Sequence, residues 1–91
     1  MSYEILRTTQ FRMDCKRMLK RGRDLQDLVE VLRVLANGEI LPLEKRDYAL
    51  TGNYAGFREC HIAPDWLLVY CIQENQLVLV CARTGTHSDL F

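Results

Sequence analysis

The spacing of apolar residues is helical in the first part of the chain and strand-like in the last part. A first helix is predicted from Thr8 or Thr9, either of which can cap it, to Gly22, which can end it. A second helix is predicted from Asp24 to the Asn37–Gly38 pair, which tolerates positive φ. The apolar face of the first helix is Phe11, Cys15, Met18 and Leu19, and that of the second is Leu25, Leu28, Val29, Leu32, Leu35 and Ala36. Because the loop between them is short, the helices are predicted to form an antiparallel pair.

Strand patterns lie before and after the helices. Three short segments are Tyr3–Leu6, predicted to be an edge strand, Ile40–Leu43, predicted to be extended, and Tyr48–Asn53, predicted to be a loop or short strand ending in a turn. Phe57–Ile62 alternates between two faces. Cys60 and Ile62 are predicted to face one way, and Glu59 and His61 the other.

The remaining segments complete a sheet. Trp66–Ile72 is apolar on both faces, which is typical of a central strand, and Leu77–Ala82 is predicted to be its hairpin partner. Ser88–Phe91 is predicted to be a short tail or helical turn. The fold class is therefore α+β, with an N-terminal antiparallel helix pair packed on a mostly antiparallel sheet of three to four strands. Residues 1–91 are predicted to form a single domain, and the face of the sheet away from the helices is left for function.

Composition removes several classes of protein. The chain is 48% hydrophobic and 26% charged, as in ordinary globular domains. No apolar run approaches the roughly 18 residues of a membrane span, so a cytoplasmic protein without membrane contact is expected. The four cysteines form no C-x-x-C pair and are interpreted as core residues: Cys15, Cys60, Cys71 and Cys81.

The charged residues sum to zero but are unevenly distributed. Only Asp14 opposes a basic run in and around the first helix. The run consists of Arg7, Arg12, Lys16, Arg17, Lys20, Arg21 and Arg23. Such a patch on a neutral protein favours a polyanionic partner, and a solvated helix face is the alternative interpretation.

Candidate chemistry collects at the predicted strand ends. The only two histidines, His61 and His87, each have a charged neighbour four residues away, Asp65 and Arg83 respectively. RNA can be cut without a metal when a base deprotonates the ribose 2′-OH, an acid protonates the leaving oxygen and a cation stabilises the phosphate. Imidazole suits the proton transfers, and guanidinium suits the phosphate.

Each of these residues also has a structural interpretation. A surface strand, a turn or a strand end accounts for the polar residues taken singly, and a core position, with one edge of the ring exposed, is the favoured interpretation of Trp66 taken singly. Alternatively, Trp66 or Phe91 stacks on an unpaired base, worth about 1–3 kcal/mol. Asp65 and Asp89 are the only acidic residues expected nearby, too few for a magnesium site, so no metal or cofactor is predicted.

The segment Leu50–Phe91 resembles the YafQ branch of the RelE/ParE superfamily of bacterial toxins. The resemblance is carried by Leu50-Thr51-Gly52, Gly56-Phe57-Arg58, His61-Ile62-Ala63-Pro64-Asp65-Trp66, Arg83-Thr84-Gly85-Thr86-His87 and the terminal Leu90-Phe91. The resemblance implies a RelE-like, microbial-RNase-like fold and a metal-free, ribosome-dependent endoribonuclease that cuts mRNA. It also implies a cognate antitoxin that inhibits the toxin, with operator DNA contacted only through the antitoxin complex.

The resemblance also implies roles for individual residues. His61, Asp65 and His87 would perform acid–base work, and Arg83 would hold the scissile phosphate. Trp66 and Phe91 would position substrate or complete the site. Ribosomal RNA would meet the basic residues Lys16, Arg17, Lys20, Arg21 and Arg23, with a strong salt dependence.

One position departs from the family pattern. Tyr48 stands where a catalytic histidine often precedes the Leu-x-Gly turn, and its ordinary pKa near 10 suits a general base poorly. Either His61 or Asp65 takes the base role, or Tyr48 only orients, or activity is reduced. The competing hypothesis is a catalytically degenerate toxin that binds ribosome or antitoxin without cutting RNA. A gyrase poison of the same superfold is disfavoured, since it would not need this set of side chains.

Overall fold

Two helices lie on one face of a five-stranded sheet. The computed structural model describes residues 2–91. The helices are α1 (Thr9–Lys20), α2 (Leu25–Ala36) and a terminal turn α3 (His87–Leu90). The strands are β1 (Glu4–Arg7), β2 (Tyr48–Ala49), β3 (Arg58–Ala63), β4 (Trp66–Gln73) and β5 (Val78–Gly85). The sheet order is β1-β5-β4-β3-β2, with β1 parallel to β5 and the other pairs antiparallel. The α+β class and the helix pair are confirmed, but the expected three to four strands are too few.

Both helices begin where capping side chains predicted. Thr8 accepts a hydrogen bond from the backbone of Phe11 at 3.0 Å, and Asp24 accepts one from Gln26 at 2.9 Å. These bonds satisfy backbone N–H groups that a helix start leaves without a partner. The N-terminal strand begins one residue later than predicted, and Ile40–Leu43 contains no strand but leads into a 3-10 turn at Leu43–Lys45.

The buried faces of the helices differ from the predicted stripes. On α1, Leu19 is 52% exposed whereas Asp14 is completely buried. On α2, Val29 is 46% exposed whereas Val31 is buried. The prediction was wrong here because hydrophobicity alone placed the α1 stripe, and the docked helix instead turns a carboxylate towards β5.

The core has two parts, one on each face of β4. Trp66, Leu68 and Tyr70 pack under the helices, and Leu67 and Val69 pack on the opposite face against α3 and the loop before β3. The central-strand prediction is therefore confirmed. We call the face that carries Leu67 and Val69 the site face.

The cysteines are free thiols, and two of them fill the core. Cys60 and Cys81 are fully buried, and burial raises the pKa of each thiol to about 12. Both thiols are thus protonated at neutral pH, consistent with a packing role. In the described part of the chain, none of the helices has the length and apolarity needed to span a membrane.

Candidate active site

Strand register aligns the candidate residues in two rows across the site face. One row contains Tyr48, Glu59, Val69 and Arg83, running from β2 to β5. The next contains His61, Leu67 and Gly85. Because directly opposed residues share a face, the sheet collects a phenol, a carboxylate, an imidazole and a guanidinium on one surface.

A bulge in β5 puts Arg83 on this face. Val69 pairs with Arg83 while Tyr70 pairs with Cys81, so Ala82 is an extra residue in β5. Cys81 lies in the core under the helices. With regular alternation Arg83 would follow Cys81 to that side, and the extra residue reverses its direction.

The guanidinium of Arg83 is held by α1. Its Nε donates to Asp14 Oδ2 at 2.8 Å and its Nη2 donates to Asp14 Oδ1 at 3.3 Å. The Asp14 hydrogen bond is the main reason that the pKa of Arg83 is raised, with a smaller contribution from Tyr54. The Arg83 side chain is 23% exposed, so part of this cation still faces solvent.

The two histidines approach each other at the rim of the site face. Their ring centroids are 6.0 Å apart, with His61 on β3 and His87 at the start of α3. The His87 Nδ1 atom lies 3.6 Å from Asp65 Oδ1, and the His87 backbone N–H donates to the same oxygen at 3.4 Å. The His87 side chain is 57% exposed and that of His61 is 15% exposed. Among the predicted residues, the structure thus brings His61, Asp65 and His87 together.

Tyr48 forms a hydrogen bond with Glu59, a carboxylate that the sequence analysis does not predict as a site residue. Its hydroxyl donates to Glu59 Oε1 at 2.7 Å, and the same Glu59 oxygen is 3.9 Å from His61 Nε2. Glu59 is only 1% exposed. The hydrogen bond to Glu59 is the first cause of a raised pKa of Tyr48. Tyr48 therefore remains a hydrogen-bond donor at neutral pH, which matches the orienting role among the alternatives above.

Phe91 forms the aromatic edge of the site. Its ring lies 6.3 Å from His87 and 5.4 Å from Tyr54, centroid to centroid, and the residue is 58% exposed. An exposed aromatic side chain next to an imidazole is available to stack on a base.

Asp89 fixes the short helix α3 that carries His87. It completes a capping box with Thr86, and it accepts two hydrogen bonds from Arg21 at 2.6 and 3.0 Å. The Arg21 hydrogen bonds are the main reason that the pKa of Asp89 lies well below its usual range. At Gly85, where φ is +155°, an added Cβ would lie 2.8 Å from the Asp89 carboxylate. The C-terminal segment is therefore tied to both α1 and β5.

Trp66 is a core residue and not a contact for substrate. It is 0% exposed, and its indole N–H donates to Thr84 Oγ1 at 2.8 Å. Thr84 in turn donates to the carbonyl of Leu67 at 2.6 Å. The prediction of direct substrate binding by Trp66 was wrong, because no part of the ring reaches the surface.

The five basic residues predicted to contact ribosomal RNA, which lie in α1 and directly after it, fall into two groups. Arg17 and Arg21 lie within 4 Å of Asp89, and Arg23 lies over Trp66 at 5.7 Å from the ring centroid. Lys16 and Lys20 are exposed and have no carboxylate partner within residues 2–91. Of the five residues predicted to contact ribosomal RNA, only these two lysines are thus entirely available to an external polyanion.

Sequence reasoning missed the roles of Asp14 and Glu59. Asp14 lies three residues after Phe11 and four before Met18, which places it on the buried face of α1. Glu59 lies two residues before His61 in β3, so the two side chains share a face of the strand. These spacings are the sequence signals that point to the two carboxylates. The sequence analysis considered only the charge of Asp14 and the strand face of Glu59.

The family of the chain follows from its similarity to known toxins. Residues 3–91 match a family described as a bacterial toxin of type II toxin-antitoxin system, YafQ. The mRNA interferase toxin YafQ of Escherichia coli strain K12 is 36% identical over 83 residues, which cover 90% of this chain and 88% of that protein. This chain is a toxin of the type II toxin–antitoxin class. Within that class it belongs to the YafQ family.

Solved structures agree with the fold. The YafQ chain in the E. coli DinJ–YafQ toxin–antitoxin complex superposes with a TM-score of 0.89 at 34% identity, covering 100% of this chain and 99% of that chain. A metal-bound toxin from Helicobacter pylori superposes with a TM-score of 0.91 at 39% identity, covering 98% and 99%. Within residues 2–91 of the present protein, no group of three or more His, Cys, Asp or Glu side chains is arranged to hold a metal ion.

Proposed function

We propose that this toxin is an mRNA interferase that cuts ribosome-bound message by metal-free acid–base catalysis. The observation that supports this proposal most directly is that the imidazoles of His61 and His87 lie 6.0 Å apart at the rim of the site face, which also carries Arg83. The mRNA interferase name of the E. coli relative supports the same activity. Since translating ribosomes are cytoplasmic, the protein would act in the cytoplasm.

The proposed reaction is an internal transfer at phosphorus. His61 accepts the proton of the ribose 2′-OH, and the 2′-oxygen forms a bond to phosphorus. The bond between phosphorus and the 5′-oxygen breaks, and His87 gives that oxygen its proton. The products are a 2′,3′-cyclic phosphate and a 5′-hydroxyl, so this step consumes no water, and His61 and His87 account for both proton transfers. Each positioned acid or base contributes about 10²–10⁴ in rate.

The surroundings of the histidines suit this division of labour. Asp65 Oδ1 lies 3.6 Å from His87 Nδ1 and accepts the His87 backbone N–H, so Asp65 orients the imidazole that acts as the acid. Glu59 orients His61 and is itself held by Tyr48. Arg83 supplies the cation for the charge that develops on the phosphate.

The site offers space for the message and a separate surface for the ribosome. A cleft of about 600 Å³ lies beside His61, and its wall includes the cations Lys45 and Arg46 together with the carboxylates Asp27 and Glu44. We infer that it receives nucleotides flanking the scissile phosphate, while Phe91 stacks on a base. Lys16 and Lys20 lie on α1 and would contact ribosomal RNA.

A cognate antitoxin is the proposed regulator. The related E. coli toxin is seen in complex with DinJ. We propose that an antitoxin inhibits the present toxin in the same manner, and that operator DNA is met only by the complex. Co-expression of the gene next to the toxin gene should restore growth, and failure to form a complex would contradict this assignment.

The decisive experiment is primer extension on a defined mRNA translated in a purified system. The toxin is first treated with EDTA and desalted, and free RNA serves as a parallel substrate. We expect cuts only on ribosome-bound message, with loss of cutting in His87→Ala and retention in Ser88→Ala, the adjacent exposed position in α3. Cutting by folded His87→Ala at the normal rate would refute the acid role, and dependence on re-added metal would refute the metal-free mechanism.

A non-cutting toxin is the second candidate, and Tyr48 is the observation that favours it. A phenol with a raised pKa cannot replace a histidine base at neutral pH. Ribosome binding without any cuts would support this candidate. Tyr48→His should then create cutting activity, whereas in an active toxin it should preserve or raise an existing rate.

A further inference from the structure

We propose that Asp14 is a positioning residue that fixes the guanidinium of Arg83 for the scissile phosphate. This inference rests on the proposed RNA cleavage. Asp14 lies on α1, 69 positions from Arg83 in the chain, and has been given no part in the acid–base steps above.

Asp14 is a buried carboxylate whose donors come from two elements, α1 and β5. It is 0% exposed and accepts both Arg83 hydrogen bonds, the backbone N–H of Thr84 at 3.1 Å, and the Gln10 amide at 3.1 Å. Arg17 lies 3.7 Å away. Burial of a charge is costly unless it is paired and hydrogen-bonded, so these donors define a single orientation for the carboxylate.

The contact between α1 and β5 sets Asp14 in register with Arg83. Strand β1 ends at Arg7, opposite Cys81, and beyond that point α1 covers the edge of β5. Thr8 donates through its hydroxyl to the carbonyl of Ala82 at 2.8 Å, and Asp14 accepts from the N–H of Thr84. The backbone is thus held by α1 on both sides of Arg83.

The pair leaves part of the guanidinium for a ligand. Asp14 engages Nε and Nη2 of Arg83, and a guanidinium has five N–H donors in a planar fork. A long side chain that is already fixed loses less entropy when it binds phosphate, and its donors need not reorganise in the transition state. Asp14 would therefore increase the rate of the chemical step.

The negative charge of Asp14 acts against its positioning effect, because it lowers the electrostatic attraction between Arg83 and a phosphate. If neutralisation were its main effect, Asp14→Asn would strengthen binding or speed cutting. If positioning is its main effect, the same change slows the reaction, so the direction of the rate change distinguishes the two.

The kinetic test uses a double-mutant cycle on ribosome-bound message. We expect Asp14→Asn to lower kcat by about 10- to 100-fold with KM changed by less than about threefold, since small misplacements cost on that order. In an Arg83→Ala background the same change should have no further effect. An unchanged or raised kcat, or an equal loss in the Arg83→Ala background, would overturn the positioning role. Glu30→Gln, which opens an exposed ion pair with Arg33 on α2, is the matched control and should leave kcat unchanged.

A second measurement does not depend on cutting. In the wild-type toxin, the Nε–H NMR signal of Arg83 should exchange with solvent more slowly than that of Arg12, which is exposed on α1. In Asp14→Asn the Arg83 signal should shift and exchange faster. Equal exchange of the two arginines in the wild type overturns the positioning of Arg83 even if Asp14→Asn does not fold. If the Arg83 signal of the wild-type toxin exchanges slowly but the toxin does not cut RNA, the proposed function is refuted and the positioning of Arg83 by Asp14 is not.

Discussion

Replacement of Trp66 by Phe tests whether this residue serves the core and not the substrate. The change removes about three buried ring atoms at ~0.8 kcal/mol each, and one hydrogen bond to Thr84 worth about 1 kcal/mol. Thr84 keeps its bond to the Leu67 carbonyl, so no buried donor is left without a partner. We expect a loss of about 3 kcal/mol in the free energy of unfolding. Since domains have roughly 5–15 kcal/mol, the variant should still fold.

Urea unfolding followed by far-ultraviolet circular dichroism measures this loss, because Trp66 is the only tryptophan and its fluorescence disappears with it. The midpoint should fall at an unchanged m-value. Cutting per folded molecule should stay within about threefold of the wild type. Thr84→Val is the matched control: it leaves the ring but removes the hydrogen bond from the indole and the one to the Leu67 carbonyl, so the indole N–H is left unpaired at about 1–3 kcal/mol.

Two results would refute the reasoning. A loss below about 1 kcal/mol would mean that the ring is not as tightly packed as its burial indicates. A stable variant that no longer cuts would mean that Trp66 acts on the substrate after all, which requires the core around it to open.

Three further predictions concern charges and protons. The pKa of Tyr48 is raised mainly by its hydrogen bond to Glu59, and the pKa of Tyr70 is raised mainly by burial. The contribution of these two tyrosines to stability is therefore complete below about pH 10 and is lost as pH rises through the raised pKa values. An ultraviolet titration should therefore show two late tyrosines, and Tyr48→Phe should remove one. The pKa of Asp89 is lowered, so its contribution is present above its ordinary value of 3.8 and is lost as pH falls towards the lower value; the melting temperature of Asp89→Asn should fall less steeply between pH 5 and 2 than that of the wild type. Charge reversal at Lys16 and Lys20 should weaken ribosome binding and flatten its log–log salt dependence by about two units, and an unchanged slope would remove these lysines from the interface.

Local sequence signals were sufficient for the elements and for one face of the site. Helical spacing and the capping residues Thr8 and Asp24 fixed where α1 and α2 begin. Strand alternation placed Glu59 and His61 on one face, since successive side chains of a strand point in opposite directions. Predictions of this kind succeed because they depend on neighbours within about four residues along the chain.

The buried face of α1 could not be derived in this way. Hydrophobic periodicity selected Leu19, whereas the docked helix buries Asp14. A buried carboxylate is favourable only when its donors are present, and these donors come from β5. The sequence favoured a core position for Trp66 but left one edge of its ring available to substrate, and only the tertiary structure shows that the whole ring is covered.

By itself the sequence determined the order of elements, the α+β class and the side chains that can transfer protons. The tertiary structure decided which of those side chains meet. The extra residue at Ala82 turns Arg83 to the site face, and α3, which is joined to α1 by the Asp89–Arg17 ion pair, carries His87 with its ring 6.0 Å from that of His61. These arrangements join residues that are distant along the chain, and their geometry depends on strand register and helix docking, which no local pattern specifies.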